Sequence, residues 1–202
     1  MDDFLFIEND WLYREFERLE FVRSMKYQTF KAALNLLHQR RPSGFEIVET
    51  GTQRVIDDPG GCSTLLFAAY CARYNGTLTT VDINPRYLEV AKEATRAYAE
   101  HVNYIESDSI KFLTDWTENN GYIDLLYLDS YDCSPIGDSS PAQLHQVKEY
   151  VAAEHALSPR SILVMDDNNF PSGGKTRLLK QQLWEKGWEC ILDMGQSLWQ
   201  RK

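Results

Sequence analysis

The chain of 202 residues is predicted to be an α/β protein: a doubly wound, seven-stranded, mostly parallel sheet with one antiparallel strand, preceded by an N-terminal helical extension. Three observations predict it. Short apolar runs bounded by turn residues recur from Phe45 onward, separated by stretches of helical length, as buried parallel strands and their crossovers do. Five of these runs lead into an acidic residue: Glu49, Asp82, Asp108, Asp129 and Asp166. The last two runs stand in hairpin order about Gly195, which suits an antiparallel strand near one edge.

The elements follow in order. Residues 8–39 contain neither Gly nor Pro, and Trp11, Phe16, Leu19, Val22, Phe30, Leu34 and Leu37 recur at roughly helical spacing. Arg41-Pro42-Ser43-Gly44 ends this region. The strands begin with Phe45-Glu46-Ile47-Val48, then Leu78-Thr79-Thr80-Val81, Asn103-Tyr104-Ile105, Ile123 to Leu128 and Ser161 to Met165. Helices are expected over 63–73, 84–100, 109–117, 141–155 and 176–186. Pro85 favours the first turn of the second of these. Segments 188–192 and 197–200 are the terminal strands, the latter antiparallel, and the N-terminal helices are expected to pack over the carboxyl edge of the sheet. The chain reads as one domain, with 1–42 as helical extension and 43–202 as core.

A formal net charge of -9 argues against a phosphate-backbone surface, so no nucleic-acid partner is expected. Cys62, Cys71, Cys133 and Cys190 form no C-x-x-C pair and read as reduced thiols. No apolar leader opens the sequence and no run approaches a membrane span, so a soluble, cytoplasmic protein with no membrane partner is expected. The oligomer is left open, a homodimer included.

In an open α/β sheet, ligands bind outside the carboxyl ends of the strands. Glu49-Thr50-Gly51-Thr52 and, after residues 53–60, Gly61-Cys62-Ser63-Thr64 form a first constellation there. A glycine after the first strand lets backbone approach a ligand, and a small-residue helix start offers free N–H groups. Alone, this is also an ordinary glycine-rich turn. Asp82 lies about twenty residues after Gly61, where a carboxylate binds the two hydroxyls of a ribose; its plainer role is a helix cap shared with Asn84. Together they point to a nucleoside. A second constellation is Asp129 with Asp167 and Asn168, an oxygen-only set suited to Mg²⁺, with Ca²⁺ or Mn²⁺ as alternatives. Here too a plain reading stands beside it: a ligand-facing acid next to a turn of good Asx formers.

Glu-x-Gly-x followed by Gly-x-Ser, Val81-Asp82-Ile83-Asn84-Pro85, Ser107-Asp108-Ser109 and Asp124-x4-Asp129 resembles the Rossmann-like class I S-adenosylmethionine-dependent methyltransferases, over about 45–202. The resemblance implies that Glu49, Gly51, Thr52, Ser63, Asp82, Asn84, Asp108, Ser109 and Asp129 surround S-adenosylmethionine. In it, Gly51 lies under the methionine part, Asp82 on the ribose, and Asp108 with Ser109 at the adenine. Leu128-Asp129 and Val164-Met165-Asp166-Asp167-Asn168 resemble the metal segments of the catechol-type O-methyltransferases, which implies a divalent cation on Asp129, Asp167 and Asn168. Two departures stand out. Residues 53–60 lengthen the first loop, and Asp132 replaces that group's lysine base.

The expected activity is transfer of methyl to an oxygen of a small-molecule acceptor, with Asp132 and His145 as catalytic candidates. His145 and Glu149, one turn apart, also read as a surface pair. Gly173-Gly174-Lys175-Thr176 reads as a rim loop whose Lys175 touches substrate, since the first glycine of a phosphate loop is replaced by Asn169. The tyrosine–lysine spacing of Tyr27 and Lys31 precedes the first strand and is discarded. Trp11, Phe4 and Phe6 could line the substrate entrance. The alternatives are a nicotinamide-dependent oxidoreductase, which lacks the second and third glycines of its fingerprint here, and a non-catalytic nucleoside-binding module, which has no use for Asp129, Asp167 and Asn168.

Overall fold

A computed structural model describes residues 25–56, 61–119, 121–134 and 136–201. The expectations for Phe4, Phe6, Trp11, Phe16, Leu19 and Val22 lie outside these residues. Seven strands form one sheet: β1 (Glu46–Thr50), β2 (Thr77–Asp82), β3 (Val102–Glu106), β4 (Ile123–Leu128), β5 (Leu157–Met165), β6 (Trp188–Asp193) and β7 (Ser197–Arg201). Their spatial order is β3-β2-β1-β4-β5-β7-β6. β1 to β5 are parallel, while β7 runs antiparallel to both neighbours, β5 and β6. The helices among the described residues are α1 (Met25–Arg40), α2 (Ser63–Tyr74), α3 (Pro85–Ala94), α4 (Ser109–Glu118), α5 (Ser140–Ala153) and α6 (Arg177–Glu185).

The central strands are apolar on both faces because both are covered. Ile47, Leu125, Tyr127, Ile162 and Val164 face one way, into a cluster with Phe30 and Leu34 of α1 and Leu66 and Phe67 of α2. Their neighbours Val48, Leu126, Leu128, Leu163 and Met165 face the other way, against Leu113 of α4, Tyr150 of α5 and Leu179 and Leu183 of α6. Residue parity thus decides the layer, giving a three-layer α/β/α sandwich. Trp188 and Trp199 are fully buried in the second cluster, and the Trp188 indole donates to Tyr150 Oη at 3.0 Å.

Two expectations need correcting. The helix expected over 84–100 stops at Ala94 and becomes a 3₁₀ segment, Arg96–His101. Thr95 Oγ1 bonds back to the Ala91 carbonyl at 2.6 Å and meets Tyr104 Oη at 2.5 Å, and such back-bonding competes with helix continuation. The described N-terminal helix, α1, does not lie over the carboxyl edge. It packs along the sheet against β5 and β7, with Lys26 at one end on Asp166 after β5 and Arg40 at the other on the Arg160 and Ser161 carbonyls.

The chain proceeds outward from β1 to β3 and then crosses back to β4 beside β1, so a topological switch point lies between β1 and β4, where a crevice is expected. No described helix is long and apolar enough to cross a membrane.

Candidate active site

A cavity of about 290 Å³ opens at the carboxyl ends of β1 to β4, lined by Gly51, Asp82, Ile83, Asp108, Ser109, Tyr131 and His145 among others. Its floor depends on a close approach. Gly51 has φ +82°, and a Cβ there would lie 2.3 Å from the Asp129 carbonyl oxygen, so only glycine lets the turns after β1 and β4 meet.

Asp82 stands at the centre, its orientation fixed by two backbone donors. Thr52 N donates to Oδ2 at 3.2 Å and Asn84 N to Oδ1 at 2.8 Å. The helix-cap role falls to Asn84, whose Oδ1 accepts from Arg86 N; Asn84 therefore shapes the turn and is not among the residues lining the cavity. Asp108 lines the cavity and also caps α4 by accepting from Lys111 N. Ser109 lines it and bonds His145 Nε2 at 3.1 Å.

Glu49, Thr52 and Ser63 lie beneath the first loop, all buried. Glu49 Oε2 accepts from Thr64 and Thr80, each at 2.7 Å, while Oε1 has no partner. Burial outweighs the hydroxyls of Ser63, Thr64 and Thr80 and pushes the carboxyl up to about 7. Thr64 Oγ1 accepts Gln53 N, and Gln53 Oε1 accepts Leu65 N, which ties the start of the lengthened loop to α2.

Reading His145 and Glu149 as a surface pair is incorrect. Their side chains are 18% and 2% exposed and 3.7 Å apart. His145 stacks near Tyr131, with ring centroids 5.1 Å apart, and Glu149 accepts from Ser130. His145 closes the cavity from α5, and Glu149 lies behind it, holding Ser130 of the lining. Asp132 lies elsewhere, 81% exposed and paired with Arg54 on the rim.

Beside the cavity, at the exit of β4, lies a cluster that the sequence reading missed in part. Lys175 is not on the rim. It is 2% exposed, with Nζ 2.6 Å from Asp129 Oδ1 and 3.2 Å from Asp167 Oδ2. Lys26 Nζ lies 2.6 Å from Asp166 Oδ2, which also accepts from Tyr127 Oη at 2.5 Å. Gln196 Nε2 donates to that hydroxyl in turn. Burial opposes the Lys175 ammonium, but Asp129, Asp167 and Asp166 outweigh it and raise its pKa. Asp166, also opposed by burial, is held low by Lys26 and Lys175. Asp129 goes the other way: burial and the charge of Asp166 raise it. Asp166, Lys26 and Tyr127 carried one signal. Lys26, Phe30 and Leu37 share a helical face, so a lysine continues the buried stripe.

The structure does not bring together the metal set expected from Asp129, Asp167 and Asn168. The Lys175 ammonium lies on both carboxylates. Asn168 turns toward the β6 side, its Nδ2 on Asp193 Oδ1 and the Met194 carbonyl and its Oδ1 accepting from Thr176 and Lys180. Among the described residues no group of three or more His, Cys, Asp or Glu side chains could hold a metal ion.

Solved structures share this fold. No curated protein matches the sequence. Among solved structures, CalS11, described as TDP-rhamnose 3'-O-methyltransferase of calicheamicin biosynthesis, superposes with a TM-score of 0.60 at 16% identity, covering 99% of each chain. Cofactor-bound Rv0187 from MTB gives 0.59 at 17%, covering 88% of this chain and 80% of its own. A ribosomal protein L11 methylase from Lactobacillus delbrueckii subsp. bulgaricus gives 0.52 at 13%, covering 87% and 79%. These likenesses share the fold. A family model described as a methyltransferase domain matches residues 48–168, more than half of the chain and the span that holds the cavity. The chain belongs to the methyltransferase-domain family, as a class I S-adenosylmethionine-dependent methyltransferase.

Proposed function

We propose that the protein methylates a hydroxyl oxygen of a small molecule, with Asp129 as proton acceptor. The observation that carries this reading is the placement of Asp129, a partly exposed carboxylate at 29% side-chain exposure, at the exit of β4, where its backbone meets the Gly51 turn in the cavity floor.

The cavity residues fit S-adenosylmethionine. Asp82 uses part of its acceptor capacity on Thr52 N and Asn84 N, and a carboxylate has about four lone-pair sites, leaving room for two ribose hydroxyls. Ile83 lines the cavity and is 71% exposed, an apolar surface that a base would cover, facing Ser109, Tyr131 and His145. When bound, the cofactor supplies an electrophilic methyl on a sulfonium.

The chain's own part is orientation and proton management. Asp129 and Asp166 have environments that push their proton affinities apart, the mark of divided roles. Asp166 is buried, ionised and locked by Lys26 and Tyr127. Asp129 has the raised affinity and the open face, so it takes the acceptor's hydroxyl proton as that oxygen attacks. His145 belongs to the cavity wall and Asp132 to the rim. A divalent cation on Asp129, Asp167 and Asn168 forms no part of this reading. The net charge of -9 favours a small acceptor over a nucleic acid, and the full-length likeness to a sugar O-methyltransferase agrees with one.

The test is a panel of hydroxylated small molecules, sugars and phenols included, assayed for S-adenosylhomocysteine release. An accepted substrate should lose turnover in Asp129→Asn by roughly a hundred-fold or more while S-adenosylhomocysteine still binds. Full turnover in that variant excludes Asp129 as the base.

A further inference from the structure

We infer that Lys175 is a built-in cation: its ammonium occupies the position between Asp129 and Asp167 that a divalent ion would take, and leaves the reaction centre without a metal requirement. The inference rests on the proposed reading of Asp129 as the group that meets the acceptor.

Three oxygens surround Nζ: Asp129 Oδ1 at 2.6 Å, Asp167 Oδ2 at 3.2 Å and the Tyr131 carbonyl at 3.3 Å. Two carboxylates and a carbonyl are the hard donors that Mg²⁺ or Mn²⁺ selects. Here Asp167 Oδ2 and the Tyr131 carbonyl stand beyond the roughly 2.0–2.6 Å of metal–oxygen bonds, and Asp129 Oδ1, at 2.6 Å, is at its upper limit. An ammonium carries three protons for donation; Asp129 Oδ1 and the Tyr131 carbonyl accept two, and Asp167 Oδ2 pairs with the charge.

The loop is built to deliver this lysine. Asp167 takes φ 53° and Gly174 φ 62°. A Cβ on Gly174 would lie 1.8 Å from the Asp167 carbonyl oxygen, so the backbone folds onto itself there. Lys175 N then donates to that carbonyl at 3.1 Å, and Gln143 Nε2 fixes the Gly174 carbonyl at 2.8 Å. Both ends of Lys175 are thus held against Asp167.

Charge balance points the same way. Asp129, Asp166 and Asp167 face Lys26 and Lys175, so the cluster carries three formal negatives and two positives. Asp166 is matched by Lys26. Without Lys175, Asp129 and Asp167 would face each other unpaired, and two close carboxylates either recruit a cation or take up a proton. A neutral residue at 175 therefore exposes a two-carboxylate site for a divalent ion.

Mn²⁺ titration followed by electron paramagnetic resonance, with Mg²⁺ calorimetry beside it, tests this on the full chain. Wild type should show no submillimolar site. Lys175→Ala should gain one Mn²⁺ per chain at submillimolar affinity, and the double variant with Asp167→Asn should lose it. Lys175→Gln, closer in length, repeats the test if the alanine variant does not fold. A submillimolar Mn²⁺ site in wild type that Asp129→Asn abolishes would overturn the inference, as would a folded Lys175→Ala and Lys175→Gln that both bind none. S-adenosylhomocysteine binding, measured in parallel, separates the two ideas. A wild type that binds neither ligand refutes the cofactor reading but leaves the Lys175 result standing.

Discussion

Replacing Glu49 with glutamine tests the electrostatics under the first loop. Glu49 is fully buried, its Oε2 held by two threonine hydroxyls and its Oε1 unpartnered. Burial raises its carboxyl from the ordinary 4.5 to about 7. Between those two values the folded state binds more protons than the unfolded one. Stability therefore falls as pH rises from about 4.5 to about 7 and is level above. At about 1.4 kcal/mol per pH unit, the penalty reaches roughly 3 kcal/mol by pH 8. A glutamine side chain has no such titration. It does bury an amide lacking a partner, which costs about 1–3 kcal/mol, but equally at every pH. Urea denaturation of wild type and Glu49→Gln at pH 5 and pH 8 isolates the carboxylate, since the constant cost cancels. The stability difference should move in the variant's favour by roughly 2–3 kcal/mol from pH 5 to pH 8. An unchanged difference would refute a buried, protonatable Glu49.

The remaining predictions concern the loop and the base. Gly174→Ala places a Cβ 1.8 Å from the Asp167 carbonyl oxygen at a positive φ, so it should lower stability in thermal or urea unfolding by about 1–3 kcal/mol or more; unaltered stability would contradict the tight Asp167–Lys175 turn. Asp132→Asn removes an exposed partner of Arg54 and should leave turnover within a few-fold, since an exposed ion pair contributes little. A collapse of turnover there would return the base to Asp132.

How much was legible follows from the range of the interactions. The strands were readable because burial on both faces forces continuous apolar runs, as in Ile123 to Leu128. Asp82 was readable too, because its position depends on one strand and one glycine loop nearby in sequence. The end of α3 was not, since Thr95 stops it through a hydroxyl contact with Tyr104 from the next strand. Lys175 and Lys26 escaped for a stronger version of that reason. A lysine beside two glycines or on a helix reads locally as solvated, and only tertiary pairing with Asp129 and Asp166, 46 and 140 residues away, buries its charge. The oxygen-rich set of Asp129, Asp167 and Asn168 was read as a metal site, whereas the structure lays the Lys175 ammonium on the two carboxylates and turns Asn168 toward Asp193. No local pattern in the sequence told that a lysine 46 residues away would meet Asp129.

Calorimetry with S-adenosylhomocysteine on wild type and Asp82→Ala tests the central claim most directly. Wild type should bind one molecule per chain, and the variant, deprived of a carboxylate acceptor worth about 1.5–3 kcal/mol, should bind roughly ten- to a hundred-fold more weakly. Equal affinity in the two proteins, or tighter binding of NAD than of the adenosyl ligand by wild type, would contradict it.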